Sequence, residues 1–110
     1  MTGQILVLSA CSSVDEAERI ARHLVESRLA ACVTFFPQAK SIYRWQGRIE
    51  EASEVVLLVK TGRERWEAVR TAIEHAHSYD VPEVLAVPVE AGSAAYLKWL
   101  AASVSDEAAE

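Results

Sequence analysis

Several shortages in this chain exclude whole classes of function. Its apolar runs fall far short of the roughly 20 residues a membrane-crossing helix needs. Its 4 glycines are widely scattered, so no G-x-G-x-x-G fingerprint and no phosphate-binding loop appears. Basic residues are in deficit, 11 Lys and Arg against 16 Asp and Glu, for a net charge of -5. They gather on no basic face, which argues against DNA or RNA as the main partner. Two cysteines, Cys11 and Cys32, are too few for a disulfide framework. The opening residues MTGQILVLSA lack the basic head and long apolar stretch of an export signal. The cytoplasm is therefore the expected compartment, with both thiols reduced and no membrane partner.

What is present suits one ordinary globular domain spanning residues 1–110, about half apolar and a quarter charged. Residues 5–10 form a short apolar run and predict a buried strand. Ser13 and Glu16 have capping-box spacing. Ala17, Ile20, Ala21, Leu24 and Val25 follow at helical spacing and predict a helix to about Arg28. Residues 32–36 and 41–45 predict strand, and Pro37 between them, unable to donate to a ladder, predicts a bulge or edge position. Gln46-Gly47 predicts a tight turn into a long returning strand over residues 48–60. Thr61 and Glu64 form a second capping box, ahead of a helix with Trp66, Val69, Ile73 and Ala76 inward. Residues 84–89 predict a fourth strand between Pro82 and Pro88. Ser93 opens a last helix with Tyr96, Leu97, Leu100 and Val104 inward, and the acidic tail SDEAAE is predicted to fray.

The order βαββαβ plus a terminal helix predicts an α+β, ferredoxin-like fold with an antiparallel sheet in the order 4-1-3-2. Right-handed crossovers link strand 1 to 2 and strand 3 to 4. This topology sets the end of strand 1 beside the entry to strand 4, which brings Cys11 to the segment EHAHSYDVPE with His75, His77, Tyr79, Pro82 and Glu83. Cys32 falls at the opposite edge, too far for a bridge to Cys11, because bonded cysteines keep their Cα atoms within about 7 Å. His75 belongs to the last helical turn and His77 lies just beyond it, a poor chelating pair. The candidate metal ligands are Cys11, His77 and Glu83, with His75 as an outlier. Thiolate and imidazole together suit copper or zinc. The same residues also read without a metal, as a helix-terminal histidine facing carbonyls and a packed cysteine. A Cys11–His77 nucleophile–base pair would need Asp80 or Glu83 as orienting partner. No Ser-His-Asp arrangement is evident, and the chain is expected not to be an enzyme.

The hairpin is longer than strand 1, so it overhangs its own sheet with unpaired edges. Its tip carries Tyr43 and Trp45 on one face and Ile42 and Arg44 on the other. Aromatics and Arg on an otherwise unsupported ribbon predict a subunit interface. Lys60 is the one basic residue ending an otherwise apolar strand. Together with Trp45, Tyr79 and Glu83 it marks a candidate intersubunit cleft for an anion or small metabolite.

The blocks LVESRLAACV, SIYRWQGRIEE, LLVKT, HSYDVPE and YLKWL, in this order and spacing, resemble the CutA divalent-cation tolerance family over nearly the whole chain. The resemblance implies a homotrimer whose long hairpins pair between subunits, similar to the PII signalling trimers. It also implies copper tolerance and copper binding, with ligands falling on Cys11, the position of Ala76, and His77. Ala76 departs from the family members that have His there, and Ser78 stands where many have proline. The resemblance implies no settled enzymatic reaction.

Overall fold

A computed structural model describes residues 2–105. The tail predicted to fray lies, from residue 106 on, outside the described residues. The elements are β1 (Gln4–Cys11), α1 (Val14–Glu26), β2 (Cys32–Trp45), β3 (Arg48–Gly62), a 3-10 turn (Arg63–Arg65), α2 (Trp66–Ala76), β4 (Leu85–Pro88) and α3 (Ala94–Ser103). The sheet order is β2-β3-β1-β4, with antiparallel neighbours throughout. The predicted α+β order and topology are those observed.

Alternation along the strands separates the two sheet faces. Ile5, Val7 and Cys11 of β1 and Val55, Leu57 and Val59 of β3 are buried, as are Ala17, Ile20 and Leu24 of α1 and Val69 and Ile73 of α2. These side chains form one contiguous core between the sheet and the helices. The residues of opposite parity, Leu6, Leu8, Val56 and Leu58, are only partly covered. Their neighbours Phe36, Leu85 and Val87 are 50%, 56% and 42% exposed. The second face is thus apolar and open.

The ends of α1 follow local chemistry. Ser13 caps it, its Oγ accepting from the Glu16 amide at 3.1 Å. The helix stops at Glu26, two residues before the expected Arg28. Arg28 takes φ 62, its amide donates to Val25 O, and the Leu29 amide donates to Leu24 O. This is a Schellman ending with arginine at the left-handed position. Val25, expected inward, is exposed, because the buried stripe closes at Leu24. The second capping box does not form. β3 continues through Thr61 to Gly62, and the Thr61 hydroxyl donates to Leu29 O at 2.6 Å. In α3, Leu100 and Val104 are buried as expected, but Tyr96 is exposed beside Trp99, with ring centroids 5.4 Å apart. β4 is shorter than expected. Pro88 pairs with Ile5 on this edge strand, where a missing N–H is tolerated.

The hairpin is the longest feature. β2 has 14 residues and β3 has 15, against 8 in β1. β1 leaves β3 at the Cys11–Val55 pair. Beyond it, among the described residues, 39–45 and 48–54 pair only with each other, which stretches the molecule to 47 × 26 × 23 Å. Gln46 and Gly47 close the ribbon at φ 52 and φ 80, as a type I′ turn requires. The expected bulge lies between Phe36 and Ala39, with Gln38 at φ 66.

One buried group is at odds with this core. Ser9 is fully buried on the helix-facing side, and its Oγ has no hydrogen-bond partner among the described residues. Ser9→Ala should therefore leave stability unchanged or raise it by about 1 kcal/mol in urea unfolding; a clear loss would show the hydroxyl to be bonded.

Candidate functional site

The end of β1 meets the end of α2 as the topology requires. His77 caps α2 with extended backbone, and its ring is fully buried. The Tyr79 amide lies 3.1 Å from His77 Nδ1 and can only donate, so Nδ1 accepts. The Ala10 carbonyl lies 2.6 Å from Nε2 and can only accept, so Nε2 carries the proton. Both ring nitrogens are committed to backbone.

Glu16 fastens the same junction from the helix side. It is 3% exposed. Its Oε1 accepts from the Ser12 amide at 3.2 Å, from Ser12 Oγ at 2.9 Å and from Ser78 Oγ at 3.1 Å. Its Oε2 accepts from the Ser78 amide at 2.7 Å. Burial pushes the Glu16 carboxyl up, but these donors outweigh burial and hold it below its ordinary value. The sequence suggested Glu16 only as a capping-box partner; its second role, tying the segment after α2 to the start of α1, depends on Ser78, 62 residues away.

Beyond this junction a cleft of about 470 Å³ opens between the ribbon and the segment leading to β4. It is lined by Ala10, Ser41, Tyr43, Trp45, Glu54, Tyr79, Asp80, Val81 and Glu83. Tyr79 Oη donates to Glu54 Oε2 at 2.9 Å, and Ser41 Oγ donates to Glu54 Oε1 at 2.6 Å. Burial first, and the Glu54 carboxylate second, push the Tyr79 phenol far above its ordinary value, so it remains a donor. Its ring leans on His77 at a centroid distance of 4.6 Å.

Three of the expected cleft residues, Trp45, Tyr79 and Glu83, do line one cavity within a single chain. Lys60 does not. It stands opposite Cys32 and Leu6 at the far end of β3, its Nζ donating to Thr34 Oγ1 at 3.4 Å and Cys32 Sγ at 3.7 Å. The expected metal set is not gathered. Cys11 is fully buried and donates to Ser13 O at 3.5 Å. Burial pushes its thiol up, His77 has no free nitrogen, His75 is exposed on the last turn of α2, and Glu83 belongs to the cleft. Among the described residues no group of three or more His, Cys, Asp or Glu is arranged to hold a metal ion. As folded in one chain, these side chains do not fit a copper or zinc centre. Glu54 and Ser41 were not singled out as site residues in the sequence, because nothing local marks a strand glutamate as the partner of a tyrosine in another element, and Asp80 was named only as an orienting partner for the Cys11–His77 pair.

A family model described as CutA1 divalent ion tolerance protein matches residues 5–103. The chain belongs to the CutA1 divalent ion tolerance family. The divalent-cation tolerance protein CutA of Pectobacterium atrosepticum is 44% identical over 100 residues, covering 89% of this chain and 91% of that protein. Protein CutA of Homo sapiens is 46% identical over 99 residues, 87% of this chain but 55% of that longer protein. Among solved structures, CutA of Xylella fastidiosa superposes with a TM-score of 0.91 at 43% identity, over 94% of this chain and 99% of that one. CutA of Archaeoglobus fulgidus, described as periplasmic, gives 0.90 at 40% identity, over 93% and 99%. These CutA relatives are named for tolerance of divalent cations or for the family alone, and not as enzymes.

Three outcomes follow from this geometry. Glu16→Ala should cost about 3 kcal/mol in chemical denaturation, because it strips the acceptor from four donors. With its carboxyl held low in the folded state, Glu16 contributes fully above the ordinary carboxylate pKa of about 4.3 and less as pH falls below it. Glu16→Gln should flatten that acid limb of the stability–pH curve. In native protein, iodoacetamide should modify Cys32 well before Cys11, as read by peptide mass spectrometry; the reverse order would contradict a sealed Cys11.

Proposed function

We propose that this protein serves divalent-cation tolerance in the cytoplasm as a homotrimer, with copper as the metal handled and zinc as the lesser candidate. The observation that carries the assembly is the ribbon. Among the described residues, 39–45 and 48–54 have no third strand beside them, and Ile42 and Ile49 are 67% and 62% exposed on the ribbon. A two-stranded ribbon is marginal in water, and the apolar open sheet face beside it asks for the same cover. Copies of the chain can supply both, with Ile42, Tyr43, Arg44 and Trp45 at the contact. Three copies, pairing hairpins as in PII-like trimers, is the number implied by the family resemblance. Two free cysteines suit a reducing compartment.

Copper is supported by the family and by the soft donors Cys11 and His77, and opposed by their bonding in the fold. A metal at His77 would have to displace the Ala10 carbonyl or the Tyr79 amide. A second reading, a PII-like module holding a small molecule in intersubunit clefts, is favoured by one observation: the cleft beside Tyr79 is already formed in one chain.

Sedimentation equilibrium should give three times the chain mass, and Ile42→Glu should lower it. A monomer at micromolar concentration would overturn the assembly. Cu(II) and Zn(II) titrated against a competing chelator should bind the wild-type protein and bind Cys11→Ala and Glu83→Gln more weakly; equal affinities would remove these ligands from the copper reading.

A further inference from the structure

The two cysteines belong to opposite faces of the sheet. Cys11 alternates with Val7 and Ile5 toward the helices and is fully buried. Cys32 opens β2 on the other face, directly across the ladder from Lys60 of β3, and is only partly buried. Thr34, two residues on, shares that face. Lys60 Nζ lies 3.4 Å from Thr34 Oγ1 and 3.7 Å from Cys32 Sγ, and Sγ lies 3.9 Å from Thr34 Oγ1. A sulfur, an amine nitrogen and a hydroxyl thus form one triangle at the end of the hairpin remote from its Gln46-Gly47 tip.

Among the described residues Lys60 makes no ion pair, and its Nζ is bonded only to Thr34 and Cys32. A strand lysine ordinarily carries its ammonium out to water; this one is partly buried and turned onto a thiol. No carboxylate has to release the nitrogen before it closes on the sulfur, and the four-carbon stem is flexible enough to cover the gap. A thiol oxidised by a hydroperoxide becomes a sulfenic acid, whose sulfur is attacked by a neighbouring nucleophile, a second thiol or an amide nitrogen. Cys32 has no second thiol in its own chain, because Cys11 is sealed behind the sheet. The nucleophile at hand is the Lys60 amine.

We propose that Cys32 and Lys60 are a peroxide-driven modification site that closes into a cross-strand sulfenamide. In the first step the Cys32 sulfur attacks one oxygen of hydrogen peroxide and the O–O bond breaks. The released hydroxide takes the thiol proton and leaves as water, and Cys32 becomes a sulfenic acid, oxidised by two electrons while the peroxide is reduced. In the second step the Lys60 ammonium gives one proton to solvent, and its nitrogen attacks the sulfur. The S–N bond forms, the S–O bond breaks, and the leaving hydroxide departs as water with a second proton from the nitrogen. Two molecules of an external thiol reverse the reaction, ending as a disulfide while Cys32 and Lys60 are restored. The bridge lies within one chain and needs only a molecule near the size of water to enter, so it does not require the ribbon or the cleft to be uncovered. It removes the Lys60 charge and staples the start of β2 to β3.

The test is mass spectrometry on the full chain in its native assembly after treatment with hydrogen peroxide. The intact chain should lose about 2 Da, the two hydrogens given up when sulfur and nitrogen join. Trypsin should cease to cut after Lys60 and release one linked peptide carrying Cys32 and Lys60, and dithiothreitol should restore both mass and cleavage. Lys60→Arg, which keeps the cation, should lose the link and raise dimedone labelling of Cys32 severalfold, because the sulfenic acid then persists. Cys32→Ser should show neither link nor label at this position. A Cys32–Cys32 disulfide between copies, equal dimedone labelling of wild type and Lys60→Arg, or a Cys32 that peroxide leaves reduced would each overturn the proposal. A link that forms as readily in urea would also overturn it, since such a link owes nothing to the fold. Should Lys60→Arg fail to fold, the wild-type digest decides alone, the linked peptide supporting the site and its absence overturning it.

Discussion

A shortage of backbone partners governs this molecule. β1 turns into α1 after Cys11, because Ser12 and Ser13 leave the sheet to bond and cap the helix. β3 has no such stop and runs on past Val55 with, among the described residues, only β2 beside it. Amide and carbonyl groups along the outer edges of that extension have water as their partner, or another chain. The elongated shape, the exposed aliphatics of the ribbon and the cleft at its base all follow from one strand ending before its neighbour. The open sheet face adds to the same demand for cover.

Where β1 ends, the fold is closed unusually firmly. Glu16 and His77 occupy every strong acceptor and donor they have on backbone and serine groups from both sides of the junction. Burying a carboxylate is expensive unless it is fully bonded, and here it is bonded on both oxygens. That firmness fixes Tyr79, whose hydroxyl reaches across to Glu54 and holds the cleft wall against the ribbon. In one chain the same firmness leaves neither imidazole nitrogen free, so a metal at His77 would have to displace a backbone partner.

The fold was legible from residue patterns because its cues are local: an apolar run, a hydroxyl with a carboxylate three residues on, Gln46-Gly47 at a turn, a proline where a ladder must break. The family blocks added what the patterns imply. Local cues misled where a distant partner competed. Thr61 looks like a helix cap but spends its hydroxyl on Leu29 O, and Tyr96 has the spacing of a buried face but stacks in the open with Trp99. The candidate site was legible in part. Tyr79, Trp45 and Glu83, expected together in a cleft between subunits, line a cavity within one chain, since the topology brings the strand 4 entry to the hairpin. Glu54 was not foreseen, because strand alternation does not name a partner in another element; Asp80 was named only as an orienting partner, and Lys60, expected in a cleft between subunits, stands at the far end of β3 from this one.

The bulge at Pro37 and Gln38 acts on the hairpin like a shift of reading frame. Before it, even-numbered side chains of β2, Thr34 and Phe36, share the open face with Leu58 and Val56 of β3. After it the odd-numbered ones do, so Ser41, Tyr43 and Trp45 come round to the side of Glu54. Without the inserted residue the ribbon would turn Ile42 and Arg44 to the cleft and carry both aromatic rings to its back. The composition of the hollow is thus dictated by one residue that touches nothing inside it, and an ancestral insertion or loss at this point would exchange the two sides of the hairpin in a single step.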